Sequence, residues 1–541
     1  MIPYSIGRRE LLPLLAAPLL QGREHRAQIA ILGAGTGGCA AALAALRNGM
    51  TVVMTEETAW IGGQFTAQMV SAFDEHAHIE THGCTRAYRQ FRNAIRDYYR
   101  GHYPLTDSAR RRVNLNPGSG TVSNFAVEPR AVLAVLEGLL APFVSGGQLR
   151  LLTRHKAVAA DTDGERVRSV KVRNPATGNE HVLHADYFLD ATELGDLLPL
   201  TKTEYVTGFE SRAMTGEPSA PTTAQPANEQ AITACFAVDY LHGEDHTISK
   251  PADYDFWRDY FPRLRPSWPD KLLSWKMSNP QTLQPRDLGF DPTLSQRGPG
   301  PLNLWLYRRI AARDNFTGGA YRSDISLINW PQNDYWLGRL IDVSEEEFAR
   351  SVRGAKQLSL SLLYWMQTAH GWKGLRLRED IAGTEDGLAM YPYIRESRRI
   401  RAEFTVLEQH VSAKARGAKT AEVFADSAGT GSYRIDLHPT SGGDNYLDVA
   451  SLPFQIPLGA LIPRRVENLL AAAKNLGVTH ITNGCYRLHP VEWNIGESAG
   501  ALAAHCVRTR QPPRRVRNEK ALLADFQALL ERQGVALSWP G

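Results

Sequence analysis

The amino-acid sequence predicts an α/β fold whose central parallel sheet is discontinuous in sequence and carries an inserted α+β domain. Three observations predict it. A strand, glycine turn, helix and second strand occupy residues 28–56, an apolar strand ends in a turn at 185–196, and a short apolar run precedes a helix of small residues at 468–504. Strands that alternate with helices are typical of a parallel sheet covered by helices. The intervening stretch has a different composition, with eight of the 11 Trp residues at 257–372.

Length and composition exclude several classes of protein. The 541 residues carry 61 basic and 57 acidic side chains, a net charge of +4, which argues against the basic face of a nucleic-acid binder. No apolar run approaches the roughly 20 residues of a membrane span. The five cysteines form no C-x-x-C pair, and no His, Cys or Asp spacing indicates a metal site. We therefore expect a protein that acts on a small molecule, and its oligomeric state is left open.

The N-terminal segment, residues 1–26, is treated apart from the fold. Arg8 and Arg9 precede a short apolar stretch, as in a twin-arginine export signal, but the stretch contains two prolines and no clear cleavage site follows. A disordered arm is the alternative interpretation. The export signal implies an exported protein, and the disordered arm implies a cytoplasmic one.

The first strand leads into a glycine turn that predicts dinucleotide binding. The apolar run at 28–32 is followed by six residues with separate tasks: Gly33, Ala34, Gly35, Thr36, Gly37 and Gly38. The first glycine permits a tight turn, the second lets the backbone approach a pyrophosphate, and the last lets helix and strand pack closely. The helix N-terminus offers free N–H groups to phosphate. Glu56, at the end of the second strand, is placed to bind a ribose diol and disfavours NADP.

Later segments favour FAD over NAD. The paired glycines Gly62 and Gly63, followed by Gln64, are similar to the extended fingerprint of FAD-dependent oxidoreductases. A predicted hairpin at 147–174, which contains Val158, is typical of the backbone near an adenine, and Ala191 and Thr192 resemble a second FAD motif. In FAD enzymes of this type, the N-terminus of a C-terminal helix stabilises negative charge on the reduced ring. The remaining predicted FAD-binding residues belong to this last segment: Asn475, Asn494, Ile495 and Gly496.

Five separated motifs resemble a bacterial family of FAD-dependent oxidoreductases. They occur in the expected order, namely WIGGQ with DEH, DATELGD, NWPQNDYW, PYIRESRRI and RLHPVEWNIGE. The resemblance covers about residues 28–510 and includes, more widely, glutathione-reductase-type folds with a single dinucleotide site. It implies a Rossmann-like FAD-binding domain. The resemblance indicates the cofactor and the fold, and it leaves the reaction open.

The predicted domain organisation follows from these segments. The FAD-binding domain is expected at 27–200 and 455–510, with a substrate domain at 201–454 and a helical tail at 511–541. A helix is predicted from Ser344 to Thr368 by its apolar spacing. No second glycine fingerprint follows a strand, so an internal NAD(P)H domain is not predicted. The tryptophan cluster is interpreted as core packing, with an aromatic pocket wall as the alternative.

Four catalytic candidates come from polar clusters. His489 is the first choice for a general base, since imidazole titrates near neutrality, and Arg487 lies beside it in sequence. Arg395 belongs to an arginine cluster that suits a carboxylate, and His438 lies on the polar face of a predicted strand. Each has a structural alternative: a histidine bonded to a carbonyl group, an internal ion-pair network, or a solvated strand face. The segment at 74–76 is a further cluster near the glycine loop.

Three functions remain open at this point. The first is an FAD-dependent oxidoreductase that transfers hydride from a small organic substrate to flavin N5, with O₂ or another acceptor reoxidising the flavin. The second is an FAD-containing lyase, isomerase or hydratase with no net redox change. The third is a non-catalytic binding protein that kept a nucleotide fold, because fold alone does not establish chemistry.

Overall fold

A computed structural model describes residues 23–540, so Arg8 and Arg9 and the predicted export signal lie outside the described residues. The strands are β1 (Arg23–Leu32), β2 (Val52–Glu56), β3 (Leu149–Thr153), β4 (Lys156–Thr162), β5 (Val167–Arg173), β6 (Glu180–Asp190), β7 (Tyr205–Val206), β8 (Ile232–Thr233), β9 (Phe236–Tyr240), β10 (Lys276–Ser278), β11 (Pro285–Gly289), β12 (Leu302–Asn303), β13 (Arg309–Ala311), β14 (Ile325–Ile328), β15 (Asp334–Tyr335), β16 (Leu375–Leu377), β17 (Arg399–Ile400), β18 (Ser427–Gly431), β19 (Ile435–Leu437), β20 (Leu447–Val449), β21 (Phe454–Pro457) and β22 (Leu469–Ala471).

The helices complete the described structure. They are α1 (Thr36–Arg47), α2 (Arg86–His102), α3 (Asp107–Arg111), α4 (Pro129–Ser145), α5 (Leu197–Leu200), α6 (Arg212–Thr215), α7 (Tyr254–Asp259), α8 (Leu304–Tyr307), α9 (Glu345–Thr368), α10 (Glu379–Ala382), α11 (Glu408–Val411), α12 (Ala413–Arg416), α13 (His480–Tyr486), α14 (His489–Thr509), α15 (Pro513–Asn518) and α16 (Lys520–Gln533). Short 3-10 helices lie at Gly63–Phe65, Arg313–Asn315, Pro331–Asn333 and Leu458–Leu461.

The main sheet confirms the predicted fold class. Its strand order is β3-β2-β1-β6-β5-β4, and β22 pairs with the carboxyl-terminal half of β6. The strands β3, β2, β1, β6 and β22 run parallel, whereas β4 and β5 form an antiparallel hairpin on β6. The apolar run Ile29–Leu32 is completely buried, as expected for a strand covered on both faces. The pairing of β22 with β6 joins segments distant in sequence in one sheet.

Strand β1 begins earlier than the sequence indicated. Arg23–Arg26 pair in register with His181–His184 of β6. Their side chains are polar and exposed or half-buried, so no apolar pattern marked them as strand. The predicted arm at 1–26 is therefore too long by at least four residues, and residues 23–26 belong to the sheet.

Two helices cover the sheet at close range because they meet through glycine. A Cβ atom built on Gly496 of α14 would lie 2.0 Å from the carbonyl oxygen of Gly37 in α1, and one on Gly500 would lie 2.2 Å from that of Ala41. These distances are far below van der Waals contact. The small-residue pattern of α14 therefore serves helix packing.

The middle of the chain has its own apolar core. The antiparallel sheet β13-β14-β9-β16 lies there, and the predicted helix is α9, whose N-cap is Ser344. Six of the eight tryptophans in this stretch are buried in this core, and Trp275 and Trp372 pack against it. Core packing is thus the main role of the cluster, although Trp330 also lines a cavity described below. Within residues 23–540, no helix is both long and apolar enough to cross a membrane.

Candidate active site: a glycine cradle and a second cavity

The glycine turn after β1 lies at the carboxyl end of the parallel sheet, where α/β folds bind ligands. Gly33 has φ = 92°, and a Cβ there would lie 2.3 Å from the carbonyl oxygen of Ala191. Gly35 is the N-cap of α1, so the first N–H groups of that helix are directed out of the turn. A Cβ on Gly38 would lie 2.0 Å from the Gly33 carbonyl oxygen. The turn therefore requires glycine at these positions.

A second glycine loop lies against the first and completes a cradle. The N–H of Gly62 donates to the Ala34 carbonyl oxygen at 2.7 Å, and the Thr36 hydroxyl donates to the Gly62 carbonyl oxygen at 3.3 Å. A Cβ on Gly63 would lie 2.8 Å from the Cα of Gly35. The two backbones thus leave room for a ligand and none for side chains. We call the surface formed by Gly33, Gly35 and Gly63 the glycine cradle.

Glu56 is held at the edge of the cavity above this cradle. Its carboxylate accepts hydrogen bonds from the Ala34 N–H at 3.0 Å and from the Thr58 N–H and hydroxyl at 2.9 and 2.8 Å. Burial raises its pKa to about 7. The predicted acid therefore sits at the end of β2 in the position that suits a ribose diol.

Other predicted FAD-binding residues divide into two groups. Ala191 and Thr192 line the cradle cavity, and Asn475 is buried behind it, donating to the Asp190 carbonyl oxygen at 3.0 Å. Val158 faces a neighbouring groove, while Ala157 lines the cradle cavity. The prediction was off by one residue, and adjacent strand residues point to opposite faces.

The predicted start of the C-terminal helix was also wrong. Helix α14 begins at His489, with Pro490 in its first turn, so Asn494, Ile495 and Gly496 lie in the second turn. The Asn494 side chain donates to the Ala428 carbonyl oxygen at 3.2 Å, and Ile495 is buried in the core. None of the three lines either cavity among the described residues. Gly496 packs on α1, Asn494 bonds β18, and Ile495 belongs to the core.

Two charged residues that the sequence prediction missed lie on the cradle. An oxygen of the Glu193 carboxylate is 2.8 Å from the Cβ positions of both Gly35 and Gly63, so an anionic group already rests where a pyrophosphate is expected. Glu193 forms an ion pair with the buried Lys474, whose Nζ is 3.7 Å from Glu492. Burial raises the pKa of Glu492 to about 7. The motif DATELGD contains Glu193, but its sequence did not indicate that the side chain turns back onto the glycines.

We expect Glu193→Gln to bind FAD about ten times more tightly than the unchanged protein, which is about 1.4 kcal/mol. A carboxylate near a dianionic pyrophosphate is repelled by it, and Lys474 offsets only part of this repulsion. Fluorescence titration of the apoprotein with FAD measures the change. Glu137→Gln, at an exposed position of α4, is the matched control. Equal or weaker binding by Glu193→Gln would contradict the expectation.

A second cavity, of about 250 Å³, lies next to the cradle cavity. The segment 391–393 passes between them: Tyr391 lines the first and Tyr393 lines the second. The Gln64 side chain, next to the cradle, donates to the Arg487 carbonyl oxygen at 3.1 Å. The predicted residues Arg487, Arg395 and His438 all line this second cavity. The fold thus brings three of the four catalytic candidates to one place.

His438 is fixed between two carboxylates. Its Nδ1 is 2.6 Å from the fully buried Asp334, and its Nε2 is 3.6 Å from Asp436. Asp334 also accepts hydrogen bonds from Thr233 at 2.6 Å and Arg395 at 2.9 Å. These charges hold the pKa of Asp334 below its ordinary value despite burial. The sequence motif NWPQNDYW includes Asp334, but its pairing with His438 is a tertiary contact.

Arg487 and Arg395 are both almost completely buried. Arg487 donates to the Tyr393 hydroxyl at 2.7 Å and lies 3.3 Å from Asp436. Arg395 bonds Asp334 and the Ala231 carbonyl oxygen, the latter at 2.8 Å. The ion-pair network left open for the arginine cluster therefore exists, and it forms the cavity wall.

His489 does not line this cavity, which corrects the first choice of general base. Its Nδ1 accepts from the Asp74 N–H and its Nε2 is bonded to the Val70 carbonyl oxygen, both at 3.0 Å. The ring is fully buried and stacks on Phe73. Burial lowers its pKa to about 4. With both ring nitrogens hydrogen-bonded, His489 holds residues 70–74 against α14.

We expect His489 to make stability depend on pH. Because its folded pKa of about 4 lies below the ordinary value of 6.5, the unfolded chain binds the proton more readily. The stabilisation is complete above pH 6.5 and is lost as the pH falls toward 4, by up to about 3 kcal/mol. Chemical denaturation from pH 4 to 8 measures this. His489→Gln should be less stable at neutral pH, with a flatter pH dependence, and a slope equal to that of the unchanged protein would contradict the assignment.

Cysteine and metal chemistry are not indicated by the described residues. All five cysteines are free and buried, and Cys485 donates its thiol to the Thr482 carbonyl oxygen at 3.3 Å. Within residues 23–540, no group of three or more His, Cys, Asp or Glu side chains is arranged to hold a metal ion.

A glycine cradle at the end of a parallel sheet, with an acid at the second strand and an adjoining polar cavity, defines a dinucleotide-binding enzyme of the flavoprotein type. The family model described as FAD dependent oxidoreductase matches residues 28–530, so the chain belongs to this family, and its cofactor is FAD. The family predicted from the five motifs is thereby confirmed. A search of curated proteins finds no significant match.

Solved structures with detectable similarity include several flavoenzymes. The E. coli quinol fumarate reductase FrdA is 11% identical with a TM-score of 0.34, covering 94% of this chain and 74% of that one. The glycerol-3-phosphate dehydrogenase from Bacillus halodurans complexed with FAD is 13% identical with a TM-score of 0.24, covering 40% of each chain. The L-proline dehydrogenase from P. horikoshii is 16% identical with a TM-score of 0.18, covering 36% of this chain and 26% of that one. The chain thus spans less than two thirds of two of these three proteins.

Proposed function

We propose that this FAD-dependent oxidoreductase oxidises a small organic substrate in the second cavity by removing a hydride from a carbon that bears a hydroxyl group and the proton from that hydroxyl group. The observation that carries the proposal is His438, held by Asp334 on the wall of a cavity that adjoins the cradle cavity. An oxidation of this kind needs a proton acceptor beside the two-electron acceptor.

Different residues of the chain would hold different parts of FAD. Gly33, Gly35 and Gly63 would provide the cradle for the pyrophosphate, and Glu56 would accept hydrogen bonds from the ribose. Lys474 is the buried cation next to the cradle. When bound, FAD supplies the acceptor of the hydride, and O₂ or another acceptor later takes the two electrons.

The proton leaves the substrate through His438. Asp334 accepts a hydrogen bond from Nδ1–H, which leaves the lone pair of Nε2 for the hydroxyl proton of the substrate. As the C–H electron pair departs, the O–H pair forms the carbonyl bond, and His438 becomes an imidazolium flanked by Asp334 and Asp436. Arg487, which lines the same wall, stabilises negative charge that develops on the substrate oxygen.

Anaerobic reduction tests the proposal. Purified protein should show flavin absorption, and mixing with an alcohol substrate without oxygen should bleach it, with a carbonyl product formed in equal amount. A panel of small alcohols identifies the substrate. Product formation with a redox-inert 5-deazaflavin in place of the flavin would contradict the proposal and favour a lyase, isomerase or hydratase. Retention of cellular function after loss of FAD binding would favour the non-catalytic alternative.

A further inference from the structure

We infer that the second cavity takes an organic acid that carries its carboxylate at the cavity mouth beside Arg286, an apolar body along the leucine wall, and a hydroxyl-bearing carbon at the inner end beside His438. This inference rests on the proposed function, since it names the substrate class of the same site. It follows from the separation of charge and apolar surface inside the cavity.

The inner end of the cavity is polar but balanced in charge. Three arginines there each pair with an aspartate: Arg308 with Asp74 at 3.2 Å, Arg395 with Asp334 at 2.9 Å, and Arg487 with Asp436 at 3.3 Å. Nearby charges keep the pKa of Asp334 and Asp436 low, so both remain ionised at neutral pH. With its cations already neutralised, this end suits a hydroxyl group better than a second carboxylate.

The mouth of the cavity carries one cation in excess. Arg434 is neutralised by Asp448, whereas the exposed Arg286 on β11 has no hydrogen bond or ion pair with any residue in 23–540. Arginine binds carboxylates through two parallel hydrogen bonds and stays charged at all relevant pH values. The excess charge therefore marks the mouth as the place for the acid group.

Part of the cavity lining is apolar. Four aliphatic side chains line the cavity beside Trp330, namely Met277, Leu288, Leu302 and Leu304. These side chains are buried or half-buried, and Leu304 and Trp330 are almost completely so. Each methylene group buried against such a surface contributes about 0.8 kcal/mol. A chain or ring of carbon atoms between the hydroxyl and the carboxylate would use this surface, and a hydroxyl at its inner end would face the polar groups there.

Acids paired with their neutral amides test the inference. The probes are 4-(hydroxymethyl)benzoate and 4-(hydroxymethyl)phenylacetate, each beside the corresponding amide, titrated into the FAD-loaded protein by calorimetry. We expect at least one acid to bind about ten times more tightly than its amide, and this preference to weaken as salt screens the mouth. Arg286→Gln should reduce the preference to less than about threefold. Arg353→Gln, which removes an exposed arginine of α9 outside the cavity, is the matched control and should retain it.

The outcomes separate this inference from the proposed oxidation. Acid and amide binding with equal affinity, an acid preference unchanged in Arg286→Gln, or no binding of any acid would each overturn the organic-acid assignment. If the acid binds in an Arg286-dependent way but does not bleach the flavin without oxygen, the ligand assignment is supported and the proposed oxidation is contradicted. If the amides bleach the flavin as fast as the acids do, the proposed oxidation is supported and the organic-acid assignment is contradicted.

Discussion

Gly496→Ala is expected to destabilise the folded protein by about 3–5 kcal/mol, although alanine is the better helix former. The added Cβ would lie 2.0 Å from the carbonyl oxygen of Gly37, which belongs to the backbone of the packed helix α1 and cannot rotate away. Neither helix can move without disturbing its contact with the main sheet. Thermal unfolding at a fixed FAD concentration measures the loss.

A matched control separates packing from helix propensity. Gly138 lies at an exposed position in α4, where a Cβ would meet nothing within 4 Å. Gly138→Ala should therefore raise the stability by about 0.5–1 kcal/mol. Similar changes in the two variants would contradict the assignment of Gly496 to helix contact and return it to the candidate cofactor residues.

His438→Gln is expected to lower kcat by about 10²–10⁴-fold while the bound FAD content stays unchanged. Glutamine cannot take the proton of the substrate, so the rate of flavin reduction should fall at every pH. Asp334→Asn should lower kcat in the same direction, because the amide no longer fixes the Nδ1–H form of the ring. Stopped-flow reduction of the flavin across a pH series measures both effects.

Two histidine variants control for general damage. His242→Gln removes an exposed imidazole outside the second cavity and should leave the rate of flavin reduction unchanged. His489→Gln should lower stability but keep the shape of the pH profile, since His489 does not line the cavity. A pH profile that changes with His489 and not with His438 would reverse the two assignments.

The local pattern of the sequence predicted the glycine turn and its acid but not Glu193 or Lys474. Residues 28–56 contain the strand, turn, helix, strand and acid in one continuous unit. Glycine and acid positions in such a unit follow from backbone geometry alone. The same reasoning placed the 185–196 strand and the 344–368 helix. It failed at Arg23–Arg26, where polar residues extend a strand because β6 offers backbone partners.

The substrate half of the site depends on tertiary structure. His438 becomes a candidate base only because Asp334, distant in sequence, lies 2.6 Å from its Nδ1. His489 and His438 look alike in sequence, yet one has both ring nitrogens bonded in the core and the other lines a cavity. The sequence places Asn494 and Gly496 at a helix start that faces the flavin. In the structure the helix starts at His489, so both residues lie in its second turn.

What the sequence by itself determined is the FAD-binding class, since the glycine turn and the later FAD motifs occur at spacings that can be recognised without the fold. Only the folded chain decided which polar groups share a cavity, which carboxylate neutralises which arginine, and that Arg286 has no carboxylate partner within residues 23–540. The physical reason is range: turn and cradle geometry is set by local backbone sterics, whereas burial and ion pairing depend on segments brought together from across the sequence.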